Sequence, residues 1–528
     1  MPTLLHHLID QHLPARAGAA ALVHRDRTFD YAALAALQDG FAGALRRRGI
    51  AAGERVAVFL SKCPEAVAVA FGSSKAGACF VPVNPLLKPA QLAHVLRDCA
   101  VRWLVTSPER LAALAPLLPG CPALERIVLV GAGAVDAPAA LPCERWDEVL
   151  DAAAAPRVDA VLDGDPCAIL YTSGSTGLPK GVVVSHRNFV SGAASVAAYL
   201  GNRADDRLLA ALPLSFDAGF SQLTTAFTVG ACAVLLEYLT AAEVLRTLAR
   251  ERITGLTGVP PLWIQLAQAA WPPEAARHLR YFANTGGKLP RATLQRLREQ
   301  APGALPFLMY GLTEAFRSTY LPPEEVDRRP DSIGRAIPNQ EVMVLRPDGS
   351  RCGPREPGEL VHRGSTVTLG YWGDAVRTAE RFRPWRSPHG GVLRDEWVVH
   401  SGDTVEMDED GFLYFIGRRD EMIKSSGYRI SPVEIEEAAY TSGLVAEAAA
   451  FGVHDERLGQ AVVLAVHAPQ AGGCDAAVLR AALQRALPTY MVPGRIVAFE
   501  APLPRNANGK IDRAGLSQQL ARPLTAGA

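Results

Sequence analysis

A loop rich in glycine and hydroxyl side chains, with one lysine near its end, spans Tyr171–Val182. It follows the apolar run Ala168–Leu170, so a strand is predicted to lead directly into it. Its glycines let backbone N–H groups approach an anion closely, its hydroxyl groups add donors, and Lys180 adds a mobile positive charge. These properties predict a site that grips a triphosphate. The predicted phosphate contacts are Thr172, Ser173, Gly174, Ser175, Thr176 and Gly177.

The phosphate loop differs from a Walker A motif, which has Gly before its lysine and Ser or Thr after it. Pro179 and Gly181 stand at those two positions beside Lys180. A P-loop NTPase, which would release phosphate rather than AMP, is therefore disfavoured.

Lysine is scarce in this chain, which has seven lysines among 54 basic residues. Four of them, Lys180, Lys288, Lys424 and Lys510, fall in the short blocks 171–182, 284–290, 417–436 and 504–513. Arginine does not replace lysine where a compact point charge must reach a crowded phosphate. The retained lysines therefore indicate positions that phosphate chemistry requires.

The composition excludes several classes of protein. Lys+Arg and Asp+Glu both total 54, so the basic surplus of a nucleic-acid-binding protein is missing. The sequence contains no apolar run of about 18 residues that predicts a membrane span, and its N-terminus does not resemble a signal peptide. The nine cysteines are scattered singly, which is typical of neither zinc sites nor disulfide frameworks. We therefore expect a cytoplasmic protein without a nucleic-acid partner.

The segments that position the loop alternate between apolar runs and helical patterns. Val56–Leu60 and Phe80–Val83 are predicted strands, and Glu65–Ala76 between them is a predicted helix. This βαβ order predicts a parallel sheet covered by helices, and a second such series runs from 207 to about 310. Short strands and turns from 341 to 404 predict a small β-rich subdomain.

A domain boundary is predicted at 417–420, after the predicted strand Gly411–Ile416. The next helix is predicted to begin at Ser431-Pro432, with Glu434 completing a capping box. The predicted fold class is therefore α/β. A large N-terminal domain, residues 1–416, contains two parallel-sheet subdomains and the β-rich subdomain, and a small α/β C-terminal domain covers residues 421–528.

Further blocks follow the phosphate loop in a fixed order, at 284–288, 309–314, 401–404, 417–436 and 504–513. Together they make the chain resemble the superfamily of AMP-forming acyl-CoA synthetases, amino-acid adenylation domains and firefly-type luciferases. The resemblance covers nearly the whole chain. The run Tyr310–Val326 is also similar to acyl-CoA ligases associated with bacterial exosortase systems. Nothing in the sequence favours luciferase-type oxygen chemistry over ligation.

The resemblance implies a binding site for the nucleoside of ATP. Tyr310 should stack on adenine, and Gly286 and Gly287 should line the edge of the base. Asp403 should accept hydrogen bonds from both ribose hydroxyls, with Arg418 beside it. These residues belong to three separate blocks of the sequence.

The resemblance also implies a catalytic set. Thr313 should touch the α-phosphate, and Glu314 should hold Mg²⁺, a hard cation that prefers carboxylate and phosphate oxygens. Lys180 should offset charge on the departing pyrophosphate. Lys510 should bridge the substrate carboxylate and the α-phosphate, where negative charge accumulates.

Enzymes of this superfamily perform two half-reactions in one active site. An acid first attacks the α-phosphorus of ATP, and a thiol then attacks the acyl-adenylate after the C-terminal domain has rotated. The resemblance places the hinge at residues 417–420, with Asp420 at the hinge position, and Gly427 at the pantetheine tunnel. The predicted activity is that of an acyl-CoA ligase using ATP, Mg²⁺ and CoA. The alternative is a stand-alone amino-acid adenylation enzyme that loads the phosphopantetheine of a separate acyl carrier protein.

The acid pocket is predicted to begin at Leu214–Phe220. Phe216 and Asp217 stand there as in amino-acid adenylation domains, whose aspartate holds the α-ammonium of the substrate. Arg317 is expected to face the same pocket. Two interpretations are open: Asp217 and Arg317 clamp a polar or amino-bearing acid, or they pair with each other and shape a pocket for a neutral acid. The expected substrate is therefore a small carboxylic or amino acid.

Overall fold

The computed structural model of the chain describes residues 2–87, 89–133, 141–150, 161–172, 179–386, 395–418, 421–425, 428–455, 458–468, 474–487, 489–506 and 509–521. Within these ranges the elements form three sheets. A search of the same residues finds no helix with the length and apolar character that a membrane crossing needs.

The strands are short, as is usual for a sheet built by helical crossovers. In chain order they are β1 (Ala20–His24), β2 (Arg27–Asp30), β3 (Arg55–Phe59), β4 (Cys79–Pro82), β5 (Trp103–Thr106), β6 (Arg126–Leu129), β7 (Cys143–Arg145), β8 (Pro166–Thr172), β9 (Lys180–Ser185), β10 (Arg207–Ala210), β11 (Cys232–Leu235), β12 (Gly255–Gly258), β13 (Tyr281–Asn284), β14 (Leu305–Leu312), β15 (Phe316–Leu321), β16 (Ser332–Ala336), β17 (Gln340–Leu345), β18 (Gly358–Gly364), β19 (Gly370–Tyr371), β20 (Phe382–Arg386), β21 (Asp395–Met407), β22 (Leu413–Arg418), β23 (Ile423–Ser425), β24 (Tyr428–Ile430), β25 (Glu447–Asp455), β26 (Gly459–His467) and β27 (Arg495–Phe499).

The helices alternate with the strands through most of the chain. They are α1 (His7–Asp10), α2 (Leu13–Arg16), α3 (Tyr31–Arg47), α4 (Pro64–Ala76), α5 (Pro89–Asp98), α6 (Pro108–Leu114), α7 (Trp146–Val149), α8 (His186–Tyr199), α9 (Asp217–Val229), α10 (Ala241–Arg250), α11 (Pro260–Gln268), α12 (Pro273–Ala276), α13 (Arg291–Gln300), α14 (Ala375–Arg381), α15 (Pro432–Thr441), α16 (Ala476–Ala486) and α17 (Arg513–Ala521). Short 3₁₀ helices span Ala115–Gly120, Pro323–Glu325 and Thr489–Met491.

The first sheet carries the phosphate loop. Its strand order is β19-β9-β8-β4-β3-β5-β6-β7, and the pairs from β8 to β7 are parallel. Strands β4 and β5 are buried along their whole length, because helices cover both faces of a parallel sheet. Strands β8 and β9 are antiparallel neighbours, and the phosphate loop connects them.

The second sheet is parallel at one end and antiparallel at the other. Its order is β17-β18-β21-β22-β16-β15-β14-β13-β12-β10-β11-β1-β2, with β20 paired to β21. Strands β1, β11, β10, β12, β13 and β14 pair in parallel. From β14 onward the pairs are antiparallel, so the nucleotide-pocket block at 309–314 lies at the change of direction.

One apolar core joins the first two sheets and fixes helix α9, which starts at Asp217. Phe220 of α9 packs against Phe71, Phe80 and Phe189 at ring-centre distances of 5.9, 5.0 and 5.2 Å. Burial of one such ring contributes about 1.5–3 kcal/mol. Truncation of Phe220 to alanine would cost about 3–5 kcal/mol and loosen the helix that carries the acid-pocket aspartate.

The third sheet belongs to the C-terminal part of the chain. Its order is β24-β23-β26-β25, and β27 joins β26 in parallel. Arg513, at the start of α17, donates to Glu436 of α15 at 2.7 and 3.0 Å, and Glu436 is buried. This ion pair ties the last helix to the helix that follows the predicted boundary.

The predicted α/β class is confirmed, and the predicted strands and helices agree with the structure to within about two residues. The β-rich segment is present as predicted, and the pairing of β16 with β22 joins its strands to the second sheet. One detail differs. Helix α15 begins at Pro432 as predicted, but the capping box is wrong, because the Ser431 side chain makes no capping hydrogen bond. The domain boundaries stay a prediction.

Candidate active site

A lysine, a glutamate and a tyrosine meet beside the phosphate loop. The Lys180 Nζ donates to Glu314 Oε1 at 3.0 Å and to the Tyr371 hydroxyl at 2.9 Å. The Tyr371 hydroxyl donates to the same Glu314 oxygen at 2.6 Å. The three residues come from β9, the turn after β14, and β19, which pairs with β9 through Tyr371 and Val182. Sheet pairing thus brings together groups almost 200 residues apart in sequence.

The Glu314 carboxylate is held in its ionised form. Burial alone would raise its pKa, but the charge of Lys180 and the hydrogen bonds from Tyr371 and Lys180 lower the pKa below its ordinary value. Burial and the Glu314 charge raise the pKa of Tyr371, so its phenol keeps its proton and donates. An ionised, partly buried carboxylate beside a phosphate loop fits a Mg²⁺ ligand, since this ion takes one or two protein carboxylates and completes its shell with phosphate and water.

The described part of the phosphate loop supports an anion site. Thr172 ends β8 opposite Lys180 at the start of β9, so both residues lie at the base of the loop. The Thr172 hydroxyl is buried and has no hydrogen-bond partner among the described residues. A donor left unpaired at this position fits a phosphate oxygen. The other five predicted contacts, Ser173, Gly174, Ser175, Thr176 and Gly177, lie outside the described residues.

The ribose aspartate and the adenine tyrosine are directly connected. The Tyr310 hydroxyl donates to Asp403 Oδ2, and Arg418 Nη1 lies 3.3 Å from Asp403 Oδ1. Asp403 and Arg418 are cross-strand partners of β21 and β22, so the sheet itself places the arginine beside the aspartate. Burial raises the pKa of Asp403, against the opposing effects of Arg418 and Tyr310. Asp403 Oδ1 accepts no hydrogen bond from the described residues and is open to a ligand hydroxyl.

The Tyr310 ring has a defined orientation. It lies parallel to His362 at a ring-centre distance of 6.3 Å and contacts Phe415 at 6.4 Å. His362 is fully buried, and this burial lowers its pKa to about 3, so the imidazole is neutral. An uncharged, apolar support behind Tyr310 suits a ring that stacks on a base.

The glycine block after β13 leaves space beside Tyr310. Gly286 has φ 77°, a conformation that favours glycine, and a Cβ there would lie 3.3 Å from Val259. The Asn284 amide donates to the Gly287 carbonyl at 2.8 Å, whereas its own buried oxygen has no partner among the described residues. This oxygen fits an amino group such as the one on adenine.

The predicted acid pocket contains two charges of opposite sign, of which Arg317 is buried and Asp217 is half-buried. Asp217 is the first residue of α9, and Thr313 donates to its Oδ1 at 3.4 Å. Burial raises the pKa of Asp217, although Arg317, Thr313 and Lys510 act in the other direction. Arg317 is 2% exposed and donates to the Ala218 carbonyl at 2.9 Å.

Asp217 and Arg317 do not form an ion pair. In the described part of the chain, no contact within 4.0 Å joins the two charged groups. The pairing that one interpretation of the pocket requires is therefore not seen in this conformation. The Phe216 backbone caps the start of α9 in an extended conformation, and its side-chain role stays a prediction.

Lys510 reaches the N-terminal domain from a tight loop of the C-terminal part. Lys510 donates its backbone N–H to Asn506 Oδ1 at 3.1 Å, and Gly509 adopts φ 76° in the same loop. Lys510 is exposed to solvent in this structure. Desolvation by surrounding protein atoms and the Arg418 guanidinium lower its pKa, whereas the carboxylates of Asp217, Asp403 and Glu421 oppose this effect. The predicted catalytic lysine is thus within electrostatic range of both the ribose aspartate and the aspartate of the acid pocket.

Sequence reasoning missed Tyr371. It lies in the Gly370-Tyr371-Trp372 run, inside the segment that was assigned only as β-rich. Its proximity to Lys180 depends on the pairing of β19 with β9, which local sequence does not specify. Asp420 and Gly427, predicted for the hinge and the thiol tunnel, lie outside the described residues.

The fold combines two large sheets with a smaller C-terminal sheet, and the site brings a lysine and a carboxylate together beside the phosphate loop. The model of the AMP-binding enzyme family matches residues 9–372, and that of the AMP-binding enzyme C-terminal domain matches residues 434–510. The chain belongs to the AMP-binding enzyme family. The predicted superfamily and the predicted class of AMP-forming ligase are therefore confirmed.

Named relatives act on different acids. The chain is 31% identical to an indoleacetate–CoA ligase of Aromatoleum aromaticum, over 97% of this chain and 98% of that protein. It is 33% identical to an L-proline–[L-prolyl-carrier protein] ligase of Streptomyces coelicolor, over 91% of this chain and 90% of that protein. Its structure is similar to that of the anthranilate CoA ligase AuaEII in complex with anthranoyl-AMP, with a TM-score of 0.86, 26% identity, and coverage of 99% and 98% of the two chains. The predicted exosortase-associated subgroup stays a prediction.

Proposed function

We propose that this chain activates a small carboxylic acid with ATP to an acyl-adenylate and then transfers the acyl group to the thiol of CoA. The observation that carries the proposal is the position of Lys510. Lys510 is within electrostatic range of Asp217 of the acid pocket and Asp403 of the ribose site, with Arg418 also nearby. An enzyme that joins an acid to the α-phosphate of ATP needs a positive charge between these two sites.

The nucleotide side would bind ATP through polar groups of two kinds. Some have no hydrogen-bond partner among the described residues, and others would give up an internal partner for the ligand. Adenine stacks on Tyr310 and donates its amino group to Asn284, whose buried oxygen has no other partner among the described residues. The ribose hydroxyls donate to Asp403, beside Arg418. Each contact uses a polar group that already points into the site, so little rearrangement is needed on binding.

The phosphate side would exchange an internal ion pair for ligand contacts. Lys180 leaves Glu314 and moves to the phosphates, and Thr172 donates its free hydroxyl there. Glu314 is the residue that would hold Mg²⁺, which supplies charge neutralisation at the phosphate oxygens. Tyr371 keeps its hydrogen bond to Glu314 and holds the carboxylate in position.

The first half-reaction is an attack of one anion on another. A carboxylate oxygen of the acid forms a bond to the α-phosphorus, and the bond from that phosphorus to the pyrophosphate oxygen breaks. Lys510 and Thr313 offset the charge that builds up on the α-phosphate, while Lys180 stabilises the leaving pyrophosphate. A pre-placed donor of this kind contributes about 3–4 kcal/mol, or a rate factor of about 100 to 1000.

In the second half-reaction a thiolate sulfur attacks the acyl carbon of the adenylate. The bond from that carbon to the phosphate-bound oxygen breaks, and AMP leaves with both electrons of the bond. Lys510 occupies the side of the adenylate that the thiol must approach, so the C-terminal domain has to move between the two steps. Residues 417–420 are the proposed hinge.

The experiment that tests the proposal is ATP–pyrophosphate exchange with a panel of amino, hydroxy, fatty and aryl acids. We expect acid-dependent exchange, followed by thioester formation with release of AMP when CoA is added. Absence of exchange with every acid would contradict the proposal and favour a non-catalytic binding role.

A carrier protein is the second candidate for the acceptor. Phe216-Asp217 stands where amino-acid adenylation domains place their ammonium-binding aspartate, and the prolyl-carrier ligase shares this overall family. Under this alternative an amino acid is activated and passed to the phosphopantetheine of a separate carrier. Exchange with amino acids, together with no thioester on free CoA, would favour it.

A further inference from the structure

Arg317 is a buried cation whose hydrogen-bond donors are only partly paired among the described residues. It is 2% exposed, its Nη2 donates to the Ala218 carbonyl at 2.9 Å, and its buried Nε has no hydrogen-bond partner among the described residues. A guanidinium carries several N–H donors and stays charged in proteins. Burial of these donors without acceptors costs free energy, and a ligand that brings an acceptor removes that cost.

The position of Arg317 places it on the acid side of the nucleotide site. It lies on β15 directly opposite Gly311 of β14, in the same hairpin as Tyr310 and Thr313. Its contact with Ala218 brings the guanidinium to the first turn of α9, next to Asp217. A ligand held by Thr313 and Lys510 therefore has Arg317 within its pocket.

The backbone before Arg317 is held in a costly conformation. Phe316 has φ 59°, which is rare for a bulky residue. Its buried ring packs against Gly192, where a Cβ would lie only 2.6 Å from the ring. Such conformations persist where surrounding contacts enforce them, and they are concentrated at functional sites. The packing of Phe316 thus fixes the start of the strand that presents Arg317.

The second charge of the pocket does not form an ion pair with Arg317. Asp217, which is half-buried, accepts a hydrogen bond from Thr313 at 3.4 Å. Arg317 and Lys510 are both within electrostatic range of Asp217, and both act against the rise in its pKa. Among the described residues no ion pair within 4.0 Å links Asp217 to Arg317, so the guanidinium can bind another anion directly.

Arg317 also borders a small cavity whose lining is mixed. Gln222, Thr225, Thr257 and Tyr281 line it together with Val196, Leu200, Leu208 and Leu209. The Gln222 amide already accepts from the Leu212 N–H and donates to the Leu209 carbonyl, each at 3.0 Å. Arg317 is the one charged residue among the described residues that line this cavity.

We propose that Arg317 determines specificity and that the acid activated by this chain carries a second anionic group on a short chain, which binds the Arg317 guanidinium. This inference rests on the proposed function. The reacting carboxylate faces Lys510 and Thr313, and the second anion pairs with the buried cation behind them. An α-amino group on the same acid would pair with Asp217, so dicarboxylic acids and acidic amino acids share the required chemistry.

The test compares acids with their neutral isosteres. ATP–pyrophosphate exchange is measured with succinate and succinamate, aspartate and asparagine, and glutamate and glutamine. We expect at least one anionic member to exceed its amide partner in kcat/KM by about tenfold or more, since a charge-assisted hydrogen bond is lost in the amide. Comparison of aspartate with succinate shows whether the amino group is part of the recognised acid.

Variants separate recognition from structural support. Arg317→Met should lower kcat/KM for the preferred anionic acid about 100-fold, mainly through KM, because it removes a buried charge partner. The amide partner should lose little or gain. Arg317→Lys should recover part of the preference, since it restores the charge without the planar fork. The control is Arg346→Met, which removes a surface ion pair with Glu356 and should change neither acid.

Each contrary result has a distinct meaning. If Arg317→Met lowered kcat/KM equally for an anionic acid and its amide, the role of Arg317 would be to hold β15 against α9. That result would overturn the inference. Exchange with propionate or benzoate, together with none from any anionic member, would also overturn it while the proposed function stands. If no acid supports exchange, the proposed function fails and the inference falls with it.

Discussion

The nucleotide half and the acid half of the site treat their charges differently. On the nucleotide side, Lys180 is paired with Glu314, and Asp403 has Arg418 and Tyr310 as neighbours. On the acid side, Arg317 is buried, Asp217 is half-buried, and the two are not paired with each other. In the nucleotide half, the charged groups would exchange their internal partners for ATP, which every reaction cycle uses. In the acid half, the charged groups would bind one particular substrate and so select its chemistry.

The largest effect should come from the residue between the two halves. Lys510→Ala should lower adenylate formation about 100- to 1000-fold, because the positive charge between carboxylate and α-phosphate is lost. Thioester formation from a supplied acyl-adenylate should be nearly unchanged. Exchange and thioesterification assays on the same preparation check this prediction.

A matched control for Lys510→Ala is Arg485→Ala, which removes an exposed cation from α16 of the same domain. It should affect neither half-reaction. If Lys510→Ala slowed both half-reactions equally, Lys510 would not be specific to adenylation, and the proposed movement of the C-terminal domain would lose its support.

The nucleotide half should respond uniformly to changes. Glu314→Gln should lower exchange about 100-fold with every acid and raise the Mg²⁺ concentration needed for half-maximal rate, because the ionised ligand is lost. Tyr371→Phe removes one hydrogen bond to this carboxylate and should cost about tenfold. Arg317→Met should instead discriminate between acids. If Glu314→Gln lowered exchange with some acids and not with others, the distinction between the two halves would be wrong.

The alkaline side of the pH profile should report on Lys510. Its ammonium must be charged to bridge two anions, and its pKa is lowered by burial and by Arg418, against Asp217, Asp403 and Glu421. A lowered pKa means that the charge disappears at a lower pH than for an ordinary lysine. Adenylation should therefore decline with rising pH before the usual lysine range near 10.4. A rate that stays constant up to that range would contradict this assignment.

The smallest expected effect is on the thermal stability of the protein, and it concerns Asp217 in the acid half of the site. Burial raises the pKa of Asp217, so the folded state binds this proton more tightly than the unfolded state. The ionised carboxylate therefore lowers the free energy of unfolding above its raised pKa. Asp217→Asn should raise Tm slightly at neutral pH, and the gain should vanish at a pH where the carboxyl is protonated in both states.

Asp163→Asn is the control for the Tm measurement on Asp217→Asn, because the pKa of Asp163 is shifted in the opposite direction. Asp163 pairs with Arg187 at the surface, and its hydrogen bond to this arginine lowers its pKa. Its replacement should lower Tm slightly or leave it unchanged, since exposed ion pairs contribute little. A lower Tm for Asp217→Asn at neutral pH would show that Asp217 is stabilised by its surroundings.

Local patterns were sufficient for the elements and for many site residues. The alternation of apolar runs and helical patterns predicts β3, α4 and β4 closely, because burial on both faces demands continuous apolar strands. The capping box at Ser431 was wrong because a matching spacing does not guarantee the hydrogen bond. Tyr371 was missed because its role depends on which strands become neighbours.

The sequence by itself determined the chemistry that the chain has available: a glycine-rich loop with a lysine, the nucleotide blocks, and the distant Lys510. These are properties of residue type and local order. Only the tertiary structure decided that Tyr371 joins Lys180 and Glu314, and that Asp217 and the buried Arg317 lie near each other without an ion pair. Contacts of this kind depend on sheet pairing and on the packing of α9 against the aromatic core, which arise between segments far apart in sequence.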